Sequence, residues 1–562
     1  MQYLAFGLLL LSWLNPLHIG PWVSWHNEAL AFGAASLLAF AVLSQSRKKS
    51  ASLRIPASAM IWLVWVAVVL IQVVAGQIVF LGDGILLVLY GLSILAVVTS
   101  GYSLGRVVST DQEEVPVLRQ LASVVLLGAL LSSVVAIIQT LDIWSDSEWI
   151  SRAYSLRRPG GNLAQPNQLA TLQLMGIVSL NYLVTLRKFK GASALMVCVL
   201  LLAGLGLTES RSGVVSVAVL VVFAFSYRQY ALRGSSSMQV VAGFVFLIIC
   251  FKYLPLFSLY LQQTGMPQPA QLATNLSAGS RLIIWPQLIE ATLQHSWQGW
   301  GLGQVPMAHN AVLHQYSVGE TFTYAHNIVL DLVLGVGYPL AIAAVGLFIY
   351  WLVRRLRKIE DASTWYCLAL LIPLVVHSLL EFPFAYAYFL VPVALAIGVL
   401  EARLFPEKYI EVKWVYAGVG HAVFAVVLLW SAWEYIQIEE DFRVARFEAL
   451  RIGKTPASYD RPHIVLLTQL DAMLTGIRLV PTPSMSAENI ESARKVAMRF
   501  PWPATQNRYA LSLALNGNPS EATRQLKVTR AMHGEKTYQG IKASWQELAH
   551  DKFPQLAAIE LP

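Results

Sequence analysis

The sequence predicts an all-α polytopic membrane protein of about 11–13 transmembrane helices, with a large extramembrane loop and a helical C-terminal domain. Three observations carry this. Hydrophobic residues make up 56% of the 562-residue chain and charged residues 13%, with a mean hydropathy of +0.56; soluble domains carry about 25% charged residues. Apolar runs near the length that crosses a hydrocarbon core recur as far as residue 432. Lys and Arg cluster between those runs, as short cytoplasmic loops require.

Taken in order, the apolar runs are 3–17, 29–45, 57–76, 78–99, 121–139, 168–186, 192–207, 213–226, 238–256, 326–352, 364–380, 385–402 and 414–432. The first, seventh and eighth are short for a span, so a count of eleven or twelve stays open. The first run resembles a signal sequence but lacks a small-residue cleavage site before Trp22, and is expected to be a retained span. The three cysteines, Cys198, Cys250 and Cys367, all lie in apolar runs and imply neither a disulfide framework nor a metal site.

With the N-terminus inside, loops after even-numbered spans hold eighteen cations, from Arg47 to Lys413. The opposite loops, longer in total, hold six: Arg152, Arg157, Arg158, Arg211, Lys252 and Arg281. The bias predicts N-in, C-out. The formal charge of +8 therefore reflects topology and does not point to nucleic acid.

Five segments follow. Residues 1–150 are N-terminal transmembrane helices; 151–256 are transmembrane helices carrying two polar motifs; 257–325 form a large outer loop. Residues 326–432 are C-terminal transmembrane helices, and 433–562 form an outer helical domain. In the last, Asn516-Gly517-Asn518-Pro519 reads as a turn between two helices, which permits either a TPR-like hairpin array or an irregular helical tail.

Cations on the wrong side of the charge bias are informative. Arg211 sits in a minimal hairpin, Thr208-Glu209-Ser210-Arg211-Ser212-Gly213, between two apolar runs. A local pair with Glu209 or simple snorkelling accounts for it; so does a clamp for an anionic group, because guanidinium binds phosphate oxygens in a bidentate way. Arg281 opens Gly279-Ser280-Arg281-Leu282-Ile283-Ile284-Trp285-Pro286, which reads as an amphipathic interfacial helix with Trp285 in the aromatic belt. Residues 157–170 pack Asn162, Gln165, Asn167 and Gln168 into a turn where Gly160, Gly161 and Pro166 forbid regular helix. Such amides suit sugar hydroxyls, or merely cap a helix start.

Gly299-Trp300-Gly301-Leu302-Gly303-Gln304 follows no strand, so tight turns, with backbone approaching a ligand, fit better than a dinucleotide site. His295, His309, His314 and His326 have no carboxylate at useful spacing and imply no metal. Tyr324-Ala325-His326-Asn327 ends the outer loop where an apolar helix is expected to begin at His326. An imidazole there is a cap, an interface residue or a general base for a hydroxyl. His377 and Glu381 end a later span one turn apart, as a hydrogen-bonded pair or as site groups.

The run Gly161-Asn162-Leu163-Ala164-Gln165-Pro166-Asn167-Gln168-Leu169-Ala170-Thr171 resembles the signature of bacterial protein O-oligosaccharyltransferases, the PglL-type pilin glycosylation ligases of the O-antigen ligase and polymerase superfamily. Tyr324-Ala325-His326-Asn327 and His377-Ser378-Leu379-Leu380-Glu381-Phe382-Pro383 are similar to the same group, and the resemblance covers residues 150 to 400. It implies a GT-C-like fold in a bacterial inner membrane, with the outer loops and the C-terminal domain periplasmic. It implies transfer of a glycan from an undecaprenyl-diphosphate carrier to Ser or Thr of a periplasmic protein such as pilin, without metal or other cofactor.

In these terms Arg211 is the arginine of the Ser-Arg turn, Arg281 the loop arginine and His326 the catalytic histidine. Asn162, Gln165, Asn167, Gln168, Asn327, His377 and Glu381 are candidates for binding glycan or acceptor. Relatives often carry His where this chain has Gln168, which puts a base at that position in doubt. The alternatives are an O-antigen ligase acting on lipid A–core, a polymerase, and a transporter or flippase for the lipid-linked glycan. The last is disfavoured by the lack of internal repeats and by polar residues lying at the ends of spans.

Overall fold

The computed structural model describes residues 1–48, 52–107, 114–144, 147–152, 158–234, 236–263, 278–313 and 321–562. Arg157, His314 and parts of the 257–325 loop lie outside them.

The described chain forms twenty α-helices: α1 (Gln2–Leu14), α2 (Trp25–Lys48), α3 (Ile61–Val74), α4 (Leu81–Gly105), α5 (Pro116–Thr140), α6 (Pro166–Thr185), α7 (Gly191–Leu207), α8 (Arg211–Ser226), α9 (Arg228–Ala231) and α10 (Ser237–Gln263). There follow α11 (Ala278–Gln294), α12 (Val305–Val312), α13 (Ile328–Leu356), α14 (Ala362–Ser378), α15 (Ala387–Leu404), α16 (Trp414–Leu450), α17 (Thr468–Arg478), α18 (Ala487–Arg499), α19 (Pro503–Leu515) and α20 (Pro519–Asp551). Each of the thirteen apolar runs coincides with one helix. Among the described residues, eight helices are long and apolar enough to cross a membrane, and α1, α7, α8 and α14 are shorter apolar helices. The protein is an all-α polytopic membrane protein.

The chain divides into two compact units. The first comprises Met1–Val66, Leu89–Ala270 and Phe348–Leu429; the second comprises Ala67–Val88, Gln271–Leu347 and Trp430–Pro562.

In the first unit, α5, α6, α14 and α15 are heavily buried. Helices in lipid gain little from hydrophobic association, so close packing and interhelical hydrogen bonds hold them together. Tyr182 and Tyr366 stack at 4.5 Å, and their hydroxyls pair with Ser363 at 2.8 Å and Ser179 at 3.0 Å. Ser133 meets Gln173 at 2.9 Å. Gly398 lets α15 approach α4 so closely that a Cβ there would lie 2.1 Å from the Val98 carbonyl oxygen.

The polar ends of this unit sort into two groups. In one, strands β1 (Leu53–Pro56) and β2 (Tyr409–Val412) pair antiparallel, and Arg355–Glu401 and Arg403–Asp361 form ion pairs at 2.8 and 2.6 Å. In the other, the Trp13 indole donates to the Tyr388 carbonyl at 2.9 Å, and Glu28 accepts from the Tyr90 hydroxyl and the Ala387 N–H at 2.6 and 2.8 Å.

In the second unit, α17 to α20 stack as successive helices. Leu511, Ala522, Leu526, Tyr538 and Trp545 of α19 and α20 lie at a core that α18 joins through Ala493 and Ala497. The predicted turn is present, with Gly517 at φ 84° between α19 and α20. The Glu434 carboxylate accepts the N–H groups of Val465, Leu466 and Leu467 at 2.8–3.1 Å, just before α17. Loop helix α12 joins these helices through Asn310 and Gln525, and Leu313 packs on Val528, Ala531 and Met532. Arg499 grips Asp83 through two bonds of 2.8 and 2.9 Å.

Two expectations require correction. The span expected at 326–352 starts at Ile328, and it is interrupted at Gly337, whose φ of 76° and ψ of 170° are not helical. Pro339 lacks an N–H and its ring crowds the residue 335 carbonyl, so the helix breaks there. The freed carbonyls find other donors: Gly335 accepts from the Gln72 side chain at 2.7 Å and Leu334 from the Trp300 N–H at 2.6 Å. Helix α16, expected at 414–432, continues to Leu450 and spans about 55 Å at 1.5 Å per residue.

Candidate active site

The polar segment before α6 folds as its residue types dictate. Gly161 takes φ 60° and Ala164 φ 56°, which bracket a single 3₁₀ turn, and Pro166 opens α6 where no N–H is needed. Asn162 is buried and its amide is consumed internally: it donates to the Leu14 and Trp149 carbonyls at 2.6 and 3.0 Å and accepts from the Ser151 N–H at 3.1 Å. It ties the turn to α1.

Beyond it lies a narrow recess, too tight in this structure to admit a water molecule, lined by Gln165, Gln168, His377, Glu381, Phe382, Pro383 and Tyr386. The structure therefore brings together four residues singled out in two distant motifs. Gln168 donates to Gln165 and accepts from the Tyr388 hydroxyl at 2.8 Å. Asn167 reaches Glu381 at 3.3 Å, and His377 Nδ1 meets the Thr171 hydroxyl at 2.7 Å. Phe382, Tyr386 and Tyr388 follow one another with ring centroids 5.9 and 5.1 Å apart, the second pair stacked.

Amides, a carboxylate, an imidazole and aromatic faces in one recess are the groups that hydrogen-bond and stack on a polyhydroxylated ligand. Sequence reasoning missed Thr171, Tyr388 and Glu28. Glu28 did leave a signal, as a lone acid at the start of an apolar run.

Arg211 is the first residue of α8, in the same unit. Ser210 caps that helix by accepting the Gly213 N–H at 3.1 Å. The pair with Glu209 is not formed: Arg211 is exposed and makes no ion pair among the described residues. Arg158 donates to the Thr208 carbonyl at 3.1 Å, so a second guanidinium sits at the Ser-Arg turn. A helix start flanked by arginines attracts an anion.

Arg281 and His326 belong to the second unit. Arg281 lies in the first turn of α11, which carries Ile284 and Leu288 into a core with Val305, Ala308, Val312, Phe322, Ala325 and Leu334. The helix expected around Arg281 is present, and Trp285 has a more specific task than a membrane belt. Its indole N–H donates to the Ala325 carbonyl at 3.0 Å, one residue before His326. From the other side, Asp331 accepts the Ala325 N–H at 3.0 Å.

His326 itself is left-handed, at φ 55°, a region few non-glycine residues visit and one associated with functional strain. Asn327 then caps α13, its side chain accepting from Val329 and Leu330 at 3.0 and 3.1 Å. Asn327 is thus a cap.

The His326 ring meets Phe322 edge to face at 5.6 Å, and Phe322 meets His309 at 6.0 Å. His309 is fully buried and bonds Gln287 at 3.1 Å; burial lowers its imidazole to about 4. His295 packs on Trp300 at 4.2 Å. The glycines of 299–303 all take positive φ, as tight turns require. Two of them admit the protein's own backbone: a Cβ at Gly299 would lie 2.7 Å from Leu334–Gly337 and one at Gly301 2.8 Å from the Gln77 carbonyl oxygen.

Fold and site together define a class: a multi-pass membrane protein with a polar, aromatic-walled recess at one end of its helices and a strained histidine above a packed loop. Comparison with known families gives the rest. The profile described as "Protein glycosylation ligase" matches residues 159–184, "O-Antigen ligase" matches 196–345, and "Virulence factor membrane-bound polymerase, C-terminal" matches 365–547. The chain is 28% identical over 546 residues to a general O-oligosaccharyltransferase of Acinetobacter baylyi, covering 94% of this chain and 91% of that protein. It is 27% identical over 348 residues to a ComP-specific O-oligosaccharyltransferase of the same organism, covering 61% of each. The chain is thus similar to the O-antigen ligase and protein glycosylation ligase families.

Proposed function

We propose that this protein transfers a preassembled glycan from undecaprenyl diphosphate to a Ser or Thr hydroxyl of a periplasmic protein, type IV pilin being the leading candidate. The observation that carries this reading is the His326 turn, clamped through Ala325 by Trp285 and Asp331 and seated on the core that also seats the Arg281 helix.

His326 accepts the proton as the acceptor oxygen attacks the anomeric carbon. The carbon–oxygen bond to phosphate breaks, and the lipid diphosphate leaves with the electron pair. Inversion at the anomeric carbon follows from a single displacement. Arg281 and Arg211 serve the diphosphate, whose developing charge is where preorganised cations contribute most. Gln165, Asn167, Gln168, His377 and Glu381 serve the glycan or the acceptor.

The orientation N-in, with the loop 257–325 and the domain 433–562 periplasmic, is supported by the grouping of polar ends in the first unit. Strands β1 and β2 come from two loops assigned to the cytoplasm, while Trp13, Glu28, Asn162 and Tyr388 come from ends assigned to the opposite face. On this reading the protein lies in the inner membrane.

The test is in vitro transfer from a lipid-linked glycan to purified pilin. His326→Ala is expected to lose roughly 10²–10⁴-fold in rate, the usual contribution of a general base; a variant at the wild-type rate would remove the assignment. The family matches also favour a second reading, ligation or polymerisation of O-antigen. Deleting the gene and finding unmodified pilin with normal lipopolysaccharide separates the two.

A further inference from the structure

At the end of the first unit opposite the recess, four cations converge on one ring. The charged groups of Arg355, Lys358, Arg354 and Lys408 lie 4.6, 4.7, 5.3 and 5.8 Å from the Phe405 centroid. Phe405 itself is buried. Each cation–ring contact is worth about 0.5–1 kcal/mol at an exposed site. Only the faces of a benzene ring are negative, so one ring cannot satisfy four charges. Arg355 also lies over Trp351 at 4.9 Å and Arg354 over Tyr350 at 5.6 Å, but among the described residues Lys358 and Lys408 meet the Phe405 ring alone.

Carboxylates neutralise one of the four. Glu401 takes Arg355 through two bonds of 2.8 Å. Arg354 donates to the neutral Tyr350 hydroxyl at 3.1 Å. Lys358 and Lys408 are exposed, and among the described residues neither they nor Arg354 form an ion pair, although Glu360 and Glu407 lie close in sequence. Charges within 6 Å of a common point sit within about a Debye length or so of each other, so their repulsion is felt. Three like charges held this way attract an anion.

The neighbouring surface says which kind. On α13, in the two turns before Arg354, the side chains of Phe348, Ile349, Tyr350 and Val353 are exposed. An apolar track leading into a cluster of cations fits a molecule with acyl chains and an anionic head. We propose that the Phe405 cluster is a binding site for an anionic phospholipid, its phosphate held by Arg354, Lys358 and Lys408 and its chains lying along α13. This site is independent of the glycan chemistry.

The experiment uses the full-length protein in nanodiscs of phosphatidylcholine with phosphatidylglycerol at equal mole fraction, followed by native mass spectrometry of retained lipid. Wild type is expected to retain phosphatidylglycerol with a preference of at least about tenfold, and the preference should fall as salt is raised. The triple variant R354Q/K358Q/K408Q, which leaves the Arg355–Glu401 pair intact, should retain both lipids equally. Equal retention by wild type, or an unchanged preference in the variant, would overturn the site. So would displacement of the bound lipid by millimolar inorganic phosphate, which would make the ligand a soluble anion. If the variant does not fold, the preference and salt response of wild type still decide the matter.

Discussion

The recess of the first unit and the His326 turn of the second solve the same problem in different ways. Both hold polar side chains in a fixed arrangement. The recess does so with a web of hydrogen bonds: Gln165, Gln168 and Tyr388 are linked in a row, and Thr171 holds His377. The turn does so with backbone strain, a non-glycine residue at φ 55° fixed by anchors on its neighbours. A hydrogen-bonded web is part of the helix packing, so damage to it should appear first as lost stability. A strained turn sits on a core that persists without it, so damage there should appear first as lost rate.

The largest expected effect is the roughly 10²–10⁴-fold loss of transfer rate in His326→Ala, with a thermal unfolding midpoint close to wild type. A large fall in that midpoint would break the contrast.

Next comes acid. His309 is neutral in the fold, its imidazole lowered to about 4 from 6.5. Its contribution is therefore fully present above pH 6.5 and is lost as the pH falls towards 4, up to on the order of 3 kcal/mol. Wild type should melt at a clearly lower temperature at pH 4.5 than at pH 7, and His309→Gln should narrow that gap.

A smaller effect tests the anchor. Asp331→Ala removes the acceptor of the Ala325 N–H, a bond worth about 0.5–1.5 kcal/mol to a neutral acceptor and about 1.5–3 kcal/mol to a charged one. The transfer rate should fall roughly tenfold or more while binding of the lipid donor is retained. A normal rate would show that His326 needs no such support.

The smallest concerns the recess. Tyr388→Phe leaves the buried Gln168 oxygen without its donor. Side-chain hydrogen bonds within membrane proteins are worth about 0.6–1.7 kcal/mol. The midpoint should drop by a few degrees, with a weaker effect on rate. The reverse order would break the comparison from the other side.

Glu28 and Gln72 show why part of this was hidden from the sequence. Both sit at or inside apolar runs, where a polar residue signals a specific partner. The signal does not say which partner. Glu28 finds Tyr90 and Ala387, and Gln72 finds the carbonyl of Gly335, 263 residues away.

The amino-acid order alone determined that the chain enters a membrane, where its apolar helices fall to within a few residues at most ends, and that Asn162 to Thr171, His326 and His377 to Glu381 are unusual. Those properties are local: a run's apolar length sets its cost in lipid, and Pro and Gly set where helix stops. Only the tertiary structure decided that Asn162 and Asn327 are structural ties while Gln165, Gln168, His377 and Glu381 share a recess. It also decided that His326 is left-handed and that α13 breaks at Gly337. Strain and breaks of that kind persist only where distant donors and acceptors compensate them, and no local pattern names those partners.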